Sequence, residues 1–122
     1  MTTFPQNQHI SIARGFLEKS EREFAASDEL NGSELLWGAA VHALIAVAQE
    51  HGWHYDSHGA FRNAIKTLAA LHQRPQLISD LDTAENFHTH FYHGRLTGRQ
   101  ITADRPKVHR FVNRLLSLLV LQ

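Results

Sequence analysis

The stretch from Leu35 to Ala48 constrains the fold more than any other part of this 122-residue chain. It is apolar at almost every position, and His42 is the one titratable side chain within it. A helix that is apolar all round must be covered on every side by neighbouring helices. The run is too short to span the roughly 30 Å hydrocarbon core of a bilayer. The sequence therefore predicts the central helix of a bundle, and we expect no membrane contact.

Four other segments show the spacing of three and four residues between apolar side chains that marks one face of a helix. Three of them cover about residues 9–26, 58–73 and 75–94. The fourth is a last helix, which we expect to begin at Asp104 and Pro106. No segment has convincing strand alternation. The sequence predicts an all-α fold, an up-and-down antiparallel bundle of about five helices that forms a single domain over residues 1–122.

Capping residues mark several of the predicted helix ends. Ser27 with Asp28, or Asn31 with Glu34, can begin the central helix, because short polar side chains accept hydrogen bonds from the first free backbone N–H groups. Further candidate boundaries are Asp56 or Ser57 before the third helix, Pro75 in the first turn of the fourth and Gly94 at its end. We expect Gly98 and the polar residues after it to form the last loop.

Composition narrows the function classes. Lys plus Arg and Asp plus Glu both total 12, which disfavours a globally basic nucleic-acid binder. The absence of cysteine excludes thiol nucleophiles and thiolate zinc sites. The sequence has no glycine-rich phosphate loop, nucleophile elbow or His-Glu-x-x-His pair. We expect no cofactor and no metal, and a cytoplasmic location because the first residues do not resemble a secretory signal.

Charge is unevenly distributed along the chain. Between Arg95 and Arg114 the sequence has six basic residues and one acid, Asp104. This predicts a positive patch at one end of the fold. Its members are Arg95, Arg99, Arg105, Lys107, Arg110 and Arg114.

The C-terminal stretch from Leu115 to Leu121 is apolar on more than one face. A lone surface helix cannot bury such a stretch, so one hypothesis is a homodimer interface. The alternative is that the first two helices cover it within the monomer.

Ten histidines are many for a chain of this length. We expect His9, His51, His72 and His109 to be solvated, because they lie near helix ends or on polar faces. His42 should be neutral and hydrogen bonded, since desolvation disfavours the charged imidazole. His90 and His93 could share one metal ion, but a metal site needs three or four ligands, so we predict none.

His88, Tyr92 and Arg95 follow the spacing i, i+4 and i+7, which predicts one face of the fourth helix. An imidazole, a phenol and a guanidinium in a row can receive a phosphate or a nucleobase. They can equally form a solvated stripe in which aromatic rings and the Arg stem cover apolar surface.

Three short stretches together resemble the PaREP branch of the HEPN superfamily. They are Ser33 to Ala43, then Ser57-His58, then Phe87-His88-x-x-Phe91-Tyr92. The resemblance implies an up-and-down helical bundle, commonly dimeric, and for many HEPN proteins an association with RNA, nucleotides or toxin and antitoxin systems. The residues carried over with its motifs are Trp37, His42, His58, His88 and Tyr92. We expect several of them to converge on one cleft between the second, third and fourth helices.

Many HEPN ribonucleases carry an Arg followed, after four to six residues, by a His. No arginine of this chain has a histidine at that spacing, and Arg105 to His109 is one residue too short. Ribonuclease activity of the usual HEPN kind is therefore disfavoured. The leading hypothesis is a non-catalytic module that binds RNA, a nucleotide or an acidic partner protein. The alternatives are a metal-independent ribonuclease, with His88 or His58 as general base and Arg95 at the phosphate, and an antitoxin-like interaction protein.

Overall fold

The computed structural model describes residues 4–119. Five helices follow one another along the chain, which confirms the predicted all-α bundle. Short connections join them, as expected for antiparallel neighbours. The helices are α1 (Gln6–Ala25), α2 (Glu29–His51), α3 (His58–Leu71), α4 (Gln76–His93) and α5 (Gly98–Ser117).

Helix α2 lies at the centre and contacts each of the other four helices. Leu36, Ala39 and Ala43 are completely buried along it. The whole helix has 23 residues and is long and apolar enough to cross a membrane. The apolar run from Leu35 to Ala48 alone is too short to do so. Other helices already bury 56% of its most apolar window. Packing within the bundle therefore covers a little over half of that window.

Two glycines of α2 let aromatic rings of α1 approach its backbone. A Cβ atom on Gly38 would lie 2.9 Å from the Phe16 ring, and one on Gly32 would lie 2.9 Å from the Phe24 ring. Between these two contacts, the hydroxyl of Ser20 donates a hydrogen bond to the carbonyl oxygen of Gly32 over 2.9 Å. The glycines thus fix how closely α1 and α2 pack, and they place Phe16 beside α2.

Several predicted caps are confirmed. The Asp28 carboxylate accepts from the N–H of Asn31 over 3.2 Å, and the Ser57 hydroxyl accepts from the N–H of Ala60 over 3.0 Å. Gly94 ends α4 with a φ of 62°, a left-handed conformation that glycine adopts without strain.

The predicted start of α5 is wrong. The helix begins at Gly98, so the residues assigned to the last loop are helical and Pro106 lies inside the helix. The cause is a capping box: the Thr97 hydroxyl accepts from the N–H of Gln100, and the Gln100 side chain accepts from the N–H of Thr97. These two bonds start the helix upstream of the proline, which forfeits one backbone hydrogen bond.

The C-terminal leucines are covered within the chain. Leu115, Leu116 and Leu119 are at most 6% exposed and belong to the hydrophobic core. Val120 and Leu121 lie outside the described residues. The described part of the tail therefore needs no second copy to cover it, and the homodimer stays a prediction.

Candidate functional site

A cleft of about 550 Å³ opens between α1, α2 and α4. We call it the aromatic cleft, because five of its lining side chains are aromatic or imidazole rings. Three of them, Trp37, His42 and His88, are among the residues predicted to converge on one cleft, but the prediction placed that cleft between α2, α3 and α4, and no residue of α3 is among those that line the aromatic cleft. The five are Phe16, Trp37, His42, His88 and Phe91.

Trp37 and His88 form the stacked centre of this site. Their ring centroids are 5.3 Å apart and their planes differ by 28°. Trp37 is 6% exposed, so its position is fixed by the core. The helical spacing of Glu34, Trp37 and Val41 turns all three toward the cleft.

The carboxylate of Glu34 orients His88. Glu34 Oε1 lies 2.8 Å from His88 Nδ1, a contact between α2 and α4 across 54 residues of sequence. The bond sets Nδ1 as the donor, and Nε2 has no hydrogen-bond partner within residues 4–119. When the ring is neutral, Nε2 is therefore an acceptor for a ligand proton. The sequence predicted Glu34 only as a capping residue. Its place one turn before Trp37 puts it on the same face of α2, which could have indicated that it belongs to the site.

His58 and Tyr92 extend the ring cluster but do not line the aromatic cleft. The His58 ring lies 5.4 Å from Trp37 and 5.6 Å from His88, and its side chain is 55% exposed. Tyr92 meets the His88 ring edge-on at 5.2 Å and is 64% exposed. The predicted residues other than His42 thus form one connected group of rings, of which Trp37 and His88 are the part inside the cleft.

His42 joins the cleft to the start of α1. Its Nδ1 lies 2.8 Å from Nδ1 of His9, so one imidazole donates and the other accepts. Burial lowers the pKa of both rings, and the positive charge that His9 would carry lowers the pKa of His42 further. The predicted hydrogen bond of His42 is confirmed, and the lowered pKa favours the predicted neutral form. The prediction of a solvated His9 is wrong, because the ring is 6% exposed against α2.

Comparison with known protein families shows to which of them the chain belongs. The profile of the Archaeal PaREP1/PaREP8 family matches residues 8–112, which span α1 to most of α5 and include the whole aromatic cleft. The chain belongs to this family. Neither the curated proteins nor the solved structures include a significant match to the PaREP chain. The wider link to the HEPN superfamily stays a prediction.

His90 of the PaREP chain has a structural role. Its Nε2 lies 3.0 Å from the Glu29 carboxylate, and its Nδ1 accepts from the N–H of Leu96 over 2.8 Å. The ring is 2% exposed, so neither nitrogen is open to a metal ion. Within residues 4–119, no three His, Asp or Glu side chains are arranged to hold a metal.

Arg95 does not share the face of His88 and Tyr92. Helix α4 of the PaREP chain ends at His93, and Gly94 turns the backbone into the left-handed region before Arg95. The predicted spacing of seven residues assumed a helix that continues, so that prediction is wrong. Arg95 is exposed in the loop to α5.

About half of the predicted basic patch is neutralised. Arg105 lies 2.8 Å from Glu21 and its guanidinium stands 4.1 Å from the centre of the Phe24 ring. Burial alone would raise the pKa of Glu21, but Arg105 and His109 together hold it below its ordinary value. Two further basic residues of the PaREP chain face acids: Lys107 with Asp104 at 3.2 Å, and Arg114 with Asp80 at 4.0 Å.

The remaining cations are Arg95, Arg99 and Arg110. All three are exposed, and none lies within 4.0 Å of an acid in the part of the chain that the structure describes, although Arg110 is near enough to Asp80 to favour its ionised form. The aromatic cleft itself is lined by the carboxylates of Glu23 and Glu34 and by no Lys or Arg among those residues. In the PaREP chain the lining of the cleft is therefore aromatic and acidic, and the three exposed arginines lie outside that lining.

A second hollow, of about 720 Å³, lies beside the loop between α2 and α3. Its lining includes Trp53, His54 and Ser57. Of these, Ser57 already caps α3, and the Trp53 ring stacks on His51 at 4.2 Å. This hollow lacks an oriented imidazole of the kind that Glu34 and His88 form, so the aromatic cleft is the stronger candidate.

Proposed function

We propose that this PaREP1/PaREP8 protein is a non-catalytic module that binds RNA or a nucleotide. The aromatic cleft takes a base, and the free arginines take phosphate. The volume of about 550 Å³ suits a ligand of nucleoside size. Planar bases pack on aromatic side chains with about 1–3 kcal/mol per base.

The observation that carries this proposal is the oriented ring pair of Trp37 and His88. The core holds Trp37, and the bond from Glu34 holds His88, so the exposed part of each ring is already in place before a ligand arrives. Rings that are fixed beforehand lose little conformational entropy on binding. The cleft thus favours a planar, rigid ligand over a flexible one.

The positions of the free cations support a phosphate contact outside the aromatic cleft. Arg95 follows Tyr92 by three residues, so their Cα atoms are at most about 11 Å apart. Arg99 and Arg110 lie on α5 and are exposed. A nucleotide chain that leaves the cleft past Tyr92 would meet Arg95 first. Such backbone contacts make affinity fall as salt rises.

A metal-independent ribonuclease is the alternative. The bond between Glu34 and His88 is the kind that orients an imidazole general base. Cleavage would also need a cation at the developing phosphate charge; no Lys or Arg is among the described lining residues, and Lys19 lies beside the cleft with Nζ 5.9 Å from the centre of the Phe16 ring. The absence of Lys and Arg from the described lining residues favours binding without cleavage.

Calorimetric titration of adenosine and of a short single-stranded RNA tests the proposal. We expect Trp37→Phe to weaken adenosine about three- to tenfold, since a smaller ring loses part of the stacking energy. The matched control Trp53→Phe changes the other tryptophan, outside the cleft, and should leave adenosine binding unchanged. Arg99→Ala with Arg110→Ala should weaken only the RNA and lower its salt slope by about 1.4.

Two results would contradict the proposal. One is no detectable binding of adenosine or RNA at low salt, and the other is identical binding by the Trp37→Phe variant and the unmodified protein. RNA recovered intact after the titration supports a binding module. RNA that is cleaved in the presence of EDTA, and spared by the His88→Ala variant, supports the ribonuclease instead.

A further inference from the structure

The lining of the aromatic cleft has more hydrogen-bond acceptors than donors. Glu23 has no ion pair and no side-chain hydrogen bond within residues 4–119, although it lines the cleft. Glu34 uses Oε1 for His88 and keeps Oε2 without a partner there. Ionised carboxylates only accept hydrogen bonds.

The other polar groups of the lining do not reverse this balance. With Nδ1 of His88 donating to Glu34, Nε2 of the neutral ring is a further acceptor. The Asn31 amide nitrogen donates one of its two protons to Asp28 over 2.7 Å, and its amide oxygen is one more acceptor. Against these acceptors stand fewer donors: the indole N–H of Trp37, the second amide proton of Asn31 and, in one tautomer, the Nε2–H of His42. A ligand group with two N–H protons, such as an exocyclic amino group, therefore matches this lining better than a carbonyl oxygen does.

We infer that the aromatic cleft selects bases with an exocyclic amino group, such as adenine and cytosine, over the carbonyl counterparts hypoxanthine and uracil. Glu23 and Glu34 accept the amino protons. A carbonyl oxygen at the same place would face carboxylate oxygens with no proton between them, which leaves both unsatisfied and repelling. This inference rests on the proposed base-binding function and names its ligand class.

The arrangement of the rings favours a base over an ammonium ion. Rings and carboxylates together also attract organic cations, but a cation cage needs several ring faces turned to one point. Trp37 and His88, two of the five lining rings, instead lie nearly parallel, at 28°, and stack on each other with centroids 5.3 Å apart. A flat ligand continues such a stack, whereas a tetrahedral ammonium group does not.

Paired nucleosides test the inference at pH about 8, where an unperturbed imidazole is neutral. Calorimetry should show adenosine binding at least about tenfold more tightly than inosine, and cytidine more tightly than uridine by a similar factor. Glu23→Gln keeps the side-chain shape but turns an acceptor pair into one acceptor and one donor. It should lower both ratios about threefold or more. The control Glu18→Gln, on the exposed face of α1, should leave them unchanged.

The outcomes separate this inference from the function on which it rests. Equal binding of adenosine and inosine overturns the selectivity and leaves base binding intact. No binding of any nucleoside overturns both. Spermidine is the probe for an amine site: if it binds more tightly than adenosine and weakens in the Glu23→Gln variant, the cleft recognises amines and the inference is wrong.

Discussion

Two histidines on α4, His88 and His90, illustrate how one residue becomes part of a site and its neighbour part of the scaffold. Each contacts a glutamate of α2, at 2.8 Å and 3.0 Å respectively. His90 uses both ring nitrogens inside the protein, whereas His88 uses one and borders the cleft. The sequence placed both on α4, but only tertiary packing decides which nitrogen stays open.

The pair of His9 and His42 makes stability depend on pH. Burial lowers the pKa of both histidines. As pH falls, the unfolded chain therefore binds more protons at these two residues than the folded chain does. The stability from the neutral pair is fully present above the unfolded pKa of about 6.5 and is lost as pH falls below it. Urea unfolding should show a falling free energy of unfolding from pH about 7 to about 5.

Variants assign this pH dependence to the pair. The double variant His9→Gln with His42→Gln cannot titrate at these positions, so its stability should change less over the same range. The control His72→Gln, at an exposed helix end, should keep the slope of the unmodified protein. A slope unaffected by the double change would show that other groups cause the acid sensitivity.

At the scale of helices, α2 is the element that the sequence predicts best. Its apolar run, its Asp28 cap and its central place all agree with the pattern from which they were inferred. Helix α5 was predicted worst, because Gly98 and Pro106 look like breaks when read one residue at a time. The Thr97 and Gln100 capping box overrides both, and only the pairing of the two side chains reveals it.

The contact of α1 with α2 predicts opposite effects for two glycine substitutions. Gly38→Ala places a methyl group 2.9 Å from the Phe16 ring, and the strain of overpacking should exceed the gain in helix propensity, a net loss of about 1–2 kcal/mol. Gly15→Ala meets no atom within 4 Å and should stabilise α1 by up to about 1 kcal/mol. Urea unfolding curves measure both. Equal stabilisation by the two substitutions would contradict the close packing at Phe16.

For the whole molecule, the sequence identified the rings of the site but not their polar partners. Trp37, His42 and His88 belong to segments whose motifs could be read along the chain. Glu34 and His9 were not recognised as partners, because each contact crosses from one helix to another over 54 and 33 residues. The same limit applies to charge, since a run of basic residues does not show which of them an acid on another helix neutralises.

The location of a bound base tests the central claim most directly. The protein has two tryptophans, so a ¹H–¹⁵N spectrum contains two indole N–H signals. Titration with adenosine should shift the signal of Trp37, in the aromatic cleft, and leave that of Trp53 in place. A shift confined to Trp53, or no shift of either signal at millimolar adenosine, would contradict the account.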